Sequence, residues 1–377
     1  MNIQERDTIK IYSGLLKNYE PLYFLESIFT KEEARTHLWN AFQGVHNDAP
    51  LDFLEIVKNP VEADFFLLPY NFFSLKESLD AEAHALIFSL GELAKKYQKK
   101  ILVFCMDDSD EHVEIPNAVI FRYSQYGYKK RKNEVITPPY PLHDRSPGLE
   151  EYRKIAWGAV SLREKGEKPT VSFCGWAGFP SLYRFFTYQT RILFADIRKY
   201  ILKDQHAELH KRGIYFRRKA VRVLRGASHV QTDFLLRKAY SAQRGFDDKK
   251  PIFYEDAERE HIESIINSDF VLAPKGNGNA SVRFYEALSL GRFPVLINTD
   301  CVLPLKNHID YSKFVVSVDH TRIHDAERTI LDFYNSLSAE EFQRRQQLAR
   351  KAFELLRPGS FLKIVLSELK KKEEGYK

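Results

Sequence analysis

The stretch 269-DFVLAPKGNGNASVRFYEALSLGRFPVLI narrows the choice of fold more than any other part of the chain. An apolar run leads into a Gly- and Asn-rich turn, then a helical pattern, then a second apolar run. Strands apolar on both faces belong to parallel sheets covered by helices on each side, and parallel neighbours need a crossover helix between them. The segment therefore reads as one β-α-β unit. Val282, Tyr285 and Leu288 mark the buried face of its helix, and Gly291 serves as the stop before the second strand.

The same alternation runs through the rest of the sequence, twice over. In the first half, strands are expected at 8-TIKIYSG, 64-DFFLLPY, 101-ILVFCM and 118-AVIFRY, with helices over Pro21 to Phe42 and Ser78 to Tyr97. Prolines and a glycine in 133-NEVITPPYPLHDRSPG end that series, and Glu150 to Lys165 reads as a helix leading into a linker. The second half restarts with 170-TVSFCGW and a helix from Leu182 to Leu202. A basic connection including 221-VRVLRG follows, then a helix over Tyr254 to Ile266, the β-α-β unit, a strand at 314-FVVSV and a long helical region from Asp325. At 377 residues the chain exceeds one ordinary core. The expectation is an α/β protein of two Rossmann-like domains, divided near residues 167 and 168.

Composition removes several classes of function. Cys105, Cys174 and Cys301 are far apart and form no CxxC, so neither a disulfide framework nor a thiolate zinc site is expected, and a reducing compartment fits best. No apolar run approaches the roughly 18 residues of a membrane span, and the N-terminus has no signal-like apolar stretch, so the expected location is cytoplasmic. The formal charge of +6 includes basic runs at 129-KKRK, Lys211 to Arg225 and the tail 369-LKKKEEGYK. No nucleic-acid reading motif accompanies them, so phosphate-bearing ligands or an anionic surface are the expected partners.

In a parallel sheet, ligands collect at the carboxyl ends of the strands, where the turn Lys275 to Ala280 lies. Gly276 and Gly278 are read as positions for positive φ and close backbone approach, with Asn277 between them. Ser281 is read as the N-cap of a helix whose free N–H groups suit an anion. Arg283 and Glu286 stay polar on a short apolar helix. The guanidinium suits phosphate oxygens and the carboxylate suits the two hydroxyls of a ribose, although an ordinary i,i+3 ion pair accounts equally well for their spacing.

The ordered set Pro274, Lys275, Gly276, then Ser281, Arg283, Phe284, Glu286, Ala287, Leu288, then Gly291, Pro294 and Val295 resembles the signature of the exostosin family of glycosyltransferases. The segments 62-EADFFLLPYNFFSL, 133-NEVITPP, 171-VSFCGWAG and 310-DYSKFVVSV are similar to further family elements in the same order. Arg191 falls where the family carries an arginine on the following helix, so the resemblance spans roughly residues 60 to 320. Lys275 stands where an arginine is more usual, keeping the charge but losing the bidentate fork.

This resemblance implies a GT-B arrangement: two Rossmann-like domains whose parallel sheets face across a cleft. The domains would be 1–167 on the acceptor side and 168–340 on the nucleotide-sugar side, with 341–377 returning to the first domain. It implies inverting transfer from a nucleotide diphosphate sugar, UDP-sugar favoured, to a glycan or lipid-linked glycan, with no metal or other cofactor. Arg191, Lys275, Gly276, Asn277, Gly278, Ser281, Arg283 and Glu286 would hold the donor. The base is sought at strand ends of the first half: Asp108 first, then Asp144 and His143, with Tyr70 lining the acceptor side. Asp108-Ser109-Asp110 matches the cation-binding Asp-x-Asp of the GT-A fold, but the two-half organisation argues against that use. His206 with His210, and His320 with His324, have i,i+4 spacing but no third ligand nearby in sequence. Two alternatives remain open: a fucosyltransferase-like enzyme using a GDP-sugar, and a non-catalytic carbohydrate-binding protein. The basic tail, with its Leu and Phe residues, is expected to touch an anionic membrane surface.

Overall fold

Alternation along each strand decides how the first unit is built. The computed structural model describes residues 8–14, 19, 22, 25, 51–139, 160–179, 181–237 and 254–374. Strands β1 (Ile9–Tyr12), β2 (Leu54–Ile56), β3 (Phe65–Asn71), β4 (Lys100–Cys105), β5 (Ala118–Arg122) and β6 (Glu134–Ile136) form a parallel sheet in the order β2-β1-β3-β4-β5-β6. Phe65, Leu67, Leu102, Phe104, Val119 and Phe121 turn to one face. Phe66, Leu68, Ile101, Val103, Ala118 and Ile120 turn to the other. Helices α1 (Phe72–Lys76) and α2 (Ala81–Lys96) cover the second face, through Phe72, Phe73, Leu75, Ala83, Leu90 and Ala94.

The chain divides into two compact units, and the first takes in residues from three places: Met1–Arg145, Val302–Leu305 and Leu355–Lys377. The last of these supplies the cover for the sheet's other face. The C-terminal helical region is three helices, α7 (Ala326–Asn335), α8 (Ala339–Leu356) and α9 (Pro358–Glu374). Pro358 starts α9 because a proline is tolerated in a first helical turn but not within α8. Phe361, Leu362, Val365 and Leu366 of α9 are buried with Ile9, Ile11 and Phe65, each such side chain contributing about 2 kcal/mol of burial. Lys370 donates to Asp64 at 2.9 Å, and Leu369 packs against the same core. The apolar residues of the tail are thus core residues, and the expected tail contact with a membrane loses its apolar component.

The second unit comprises Ser146–Cys301 and Lys306–Glu354. The change of unit therefore falls at 145 and 146, ahead of the expected 167 and 168. Its sheet, in the order β11-β10-β9-β7-β8, is again parallel: β7 (Thr170–Trp176), β8 (Gln231–Arg237), β9 (Phe270–Ala273), β10 (Phe293–Asn298) and β11 (Val316–Asp319). Between these run α3 (Leu182–Tyr200), α4 (Gly213–Arg225), α5 (Tyr254–Ile266) and α6 (Val282–Ser289). The two units are α/β with parallel sheets, as a GT-B-like chain requires. Residues 160–165, expected as the end of a helix, are not helical. They are pinned instead by Arg163, which donates to Asp269 at 2.7 Å, and by Gln346, which accepts from the Arg163 N–H. Helix α4 and strand β8 occupy what reads in the sequence as a basic connection.

Candidate functional site

The turn between β9 and α6 is held from both sides. Gly276 N–H donates to Ala280 O at 2.7 Å, and Asn279 donates to Thr299 O at 3.0 Å. Helix α4 meets the turn end-on, close enough that a Cβ on Gly213 would lie 2.2 Å from Lys275 O and 2.3 Å from Gly276 O. Neither Gly276 nor Gly278 has positive φ, contrary to the sequence reading. Close backbone approach, not a left-handed bend, is the demand this turn makes.

Ser281 takes the extended conformation of an N-cap, with φ −132° and ψ 118°, but its hydroxyl makes no capping bond. Its Oγ is buried with no hydrogen-bond partner, and so is Trp176 Nε1 at the end of β7. Buried polar atoms nearly always have partners, and these two, at the carboxyl end of a parallel sheet, are groups that a polar ligand would satisfy. The first N–H groups of α6 lie beside Ser281 and add the anion preference of a helix start.

Arg283 and Glu286 do not stay with each other. Arg283 Nε donates to Cys174 O at 2.8 Å, and its guanidinium lies over Phe173, 5.0 Å from the ring centre. That position exists because residue 175 is glycine: a Cβ there would come within 2.2 Å of Arg283 Nη2. Glu286, only 4% exposed, pairs with His261 Nε2 at 2.7 Å. The i,i+3 ion pair that the spacing equally suggests is replaced by two separate anchors.

His261, on α5, also hydrogen-bonds Cys174 on β7. Burial by itself would lower the imidazole's pKa, but the Glu286 charge and the bonds to Cys174 and Glu286 outweigh it and raise it to about 9. Burial pushes the Cys105 and Cys301 thiols up to about 12. At Cys174 burial acts in the same direction, yet the His261 bond and charge, helped by Arg237, bring the thiol below its usual value. Cys174, His261 and Glu286 are thus linked in a row, with His261 bonded to both of the others. Sequence reasoning missed His261, Cys174 and Arg237 as site residues. Only the position of Cys174 near a strand's carboxyl end pointed to one of them.

The other expected donor residues are placed differently. Lys275, 3% exposed, turns inward: its ammonium donates to Leu209 O and lies 5.5 Å from the Phe216 ring centre. The lysine thereby braces the turn. Asn277 is exposed at its tip. Arg191 is exposed on α3 and has no hydrogen-bond or ion-pair partner among the described residues.

In the first unit, Asp108 is exposed just beyond β4. Asp107 accepts from Ser109 N–H at 2.9 Å, and Asp110 pairs with Lys129 at 2.6 Å, so the three acidic residues go separate ways. Burial raises the Asp107 carboxyl above its ordinary range, although the Ser109 N–H and Arg122 oppose the shift. Tyr70, expected to line an acceptor, is 2% exposed in the core and meets Tyr19 edge-on at 5.6 Å. It presents no surface to a glycan. Asp144 and His143 lie outside the described residues. Among the described residues no three His, Cys, Asp or Glu side chains converge as metal ligands, and His206, His210, His320 and His324 form no such group.

Residues 201–333 match the family model of the exostosin GT47 domain. Over that stretch the chain is similar to exostosin glycosyltransferases. The match takes in α4, α5, the turn, α6 and the strands β8 to β11, and therefore includes His261, Ser281, Arg283 and Glu286. A probable glycosyltransferase of Arabidopsis thaliana is 34% identical over 87 residues, covering 22% of this chain and 18% of that protein. Exostosin-1 of Drosophila melanogaster is 39% identical over 85 residues, covering 22% of this chain and 10% of that protein. The likeness to these relatives thus spans less than a fifth of their length.

Proposed function

We propose that the chain is an inverting glycosyltransferase that moves a sugar from a nucleoside diphosphate sugar, UDP-sugar favoured, to a hydroxyl of a glycan or lipid-linked glycan. The observation that carries this reading is the buried, unpartnered Ser281 hydroxyl at the start of α6, within the stretch that matches the exostosin GT47 family model.

In this reading the donor diphosphate lies over the start of α6. The Ser281 hydroxyl donates to it, the first N–H groups of the helix face it, and the guanidinium nitrogens of Arg283 not held by Cys174 O supply positive charge. Glu286, oriented by His261, accepts the ribose hydroxyls. As the bond from the anomeric carbon to the diphosphate oxygen breaks, charge grows on that oxygen, and these groups stabilise it more than they do the intact donor. The acceptor hydroxyl attacks from the opposite side and gives its proton to a carboxylate. For that base we assign the loop after β4. Of its carboxylates, Asp107 is taken as the base: it is half-buried where Asp108 is exposed, and burial raises it above its ordinary range. Metal-independent transfer and a cytoplasmic setting belong to the same proposal; the three free cysteines support the setting.

The reading is tested by incubating the protein with individual nucleotide sugars and a panel of glycan acceptors, with and without chelator, and following product anomers by NMR. Transfer with inversion in the presence of chelator supports it. Donor binding without transfer to any acceptor favours a carbohydrate-binding protein instead.

A further inference from the structure

Helix α3 has no buried residue along its nineteen positions. Six large side chains, Leu182, Tyr183, Phe186, Leu193, Phe194 and Tyr200, are 59 to 77% exposed. At about 100° per residue they fall within an arc of roughly 120°, one continuous stripe along a helix about 28 Å long. Isolated exposed apolar residues need no explanation, but a continuous stripe marks an interaction surface.

The opposite side fixes α3 to the second unit. Phe185 and Tyr188 pack against Phe179 at 5.6 and 4.8 Å between ring centres, and Asp196 pairs with Lys211 at 2.7 Å. The stripe is therefore held outward by a helix already anchored along its back.

Charge narrows the choice of occupant. The helix carries Arg184, Arg191, Arg198 and Lys199 against a single acid, Asp196, which is already paired. The three arginines recur every seven residues and so form a row bordering the apolar arc. Arg198 is engaged by Asp204, whereas the side chains of Arg184 and Arg191 have no partner among the described residues. A second copy of the chain would bring cationic rims against each other. An anionic planar surface would neutralise them while taking up the apolar stripe, the combination that places a helix in the plane of a membrane. No helix among the described residues is long and apolar enough to cross one. We infer that α3 lies on an anionic lipid surface, its Leu, Phe and Tyr side chains in the headgroup region and Arg184 and Arg191 on the lipid phosphates.

The test is sedimentation of the full chain with vesicles of phosphatidylcholine alone and of phosphatidylcholine mixed with phosphatidylglycerol. The protein should pellet with the anionic vesicles, stay in solution with the neutral ones, and be released by salt. The double variant Phe186→Ser, Phe194→Ser should bind the anionic vesicles about tenfold less while keeping the thermal midpoint, since both side chains are exposed. Arg184→Gln should reduce binding in the same direction. Four results would overturn the inference: no pelleting of the parent protein with anionic vesicles; unchanged pelleting of the double variant; loss of pelleting in Lys371→Gln, Lys372→Gln but not in the α3 variants; or a dimer in light scattering that the double variant dissolves.

Discussion

The Nε2 atom of His261 stands 2.7 Å from the Glu286 carboxylate, joining helix α5 to the one acidic side chain of α6. The pair makes the site's acid a fixed acceptor. In the proposed donor site a loose carboxylate would lose conformational freedom on meeting a ribose, whereas this one is already held.

The pair should appear first in the pH dependence of stability. The folded-state pKa of His261 is raised from 6.5 to about 9, so the stability it contributes is fully present below about pH 6.5 and is lost as pH rises through about 9. Its size is at most roughly 3 kcal/mol. Glu286→Gln removes the opposing charge. The gap in thermal midpoint between parent and variant should be largest near pH 6 and close toward pH 9, with the Cys174 contribution common to both. A pH-independent gap would mean that the histidine is not charged by Glu286.

Gly175→Ala tests the anchoring of Arg283. The added Cβ would lie 2.2 Å from Arg283 Nη2, so the guanidinium must shift and give up the bond from its Nε to Cys174 O. The expected outcome is a folded protein whose nucleoside diphosphate affinity falls by about tenfold or more, measured by calorimetric titration. Unchanged affinity would remove Arg283 from the donor site.

Leu362→Ala tests the incorporation of α9 into the first unit. The side chain is buried among strands β1 to β5, so its truncation should cost about 2 to 5 kcal/mol in denaturant unfolding. A loss near zero would mean that α9 does not complete this core.

Asp107→Asn and Asp108→Asn separate the two candidate bases. Once an acceptor is found, the first change should abolish transfer with donor binding intact, and the second should have little effect. The acid limb of the pH–rate profile should lie above the ordinary aspartate range, in keeping with the burial of Asp107. The reverse order of effects would return the role to Asp108.

The sequence made the sheets legible wherever strands are buried on both faces. The apolar runs around Phe65, Ile101, Ala118, Val171, Phe270 and Phe293 all became β-strands. Strand β8 escaped because it is an edge strand with mostly exposed residues, so 231-QTDFLLR carries no clear apolar pattern. Helix α4 escaped because it begins at Gly213 without a capping side chain and is crowded with arginines. Ser281, Arg283 and Glu286 were legible because they lie on one short helix with a recognisable order. His261 and Cys174 were not, since the row they complete is assembled from β7, α5 and α6 and has no local spacing. Lys275 was read as a phosphate ligand from its charge, but its ammonium is used inside the fold.

The most direct measurement is a thermal-shift titration of the full chain with UDP, GDP, CDP, ADP and TDP in excess chelator, run beside Ser281→Ala and Glu286→Ala. A ligand that binds only the folded protein raises its midpoint in proportion to occupancy. One nucleoside diphosphate, with UDP expected, should stabilise the parent, and both variants should weaken its binding by about 1 to 3 kcal/mol while remaining folded. Equal binding by the parent and both variants would contradict a donor site built on the start of α6, as would no response to any of the five.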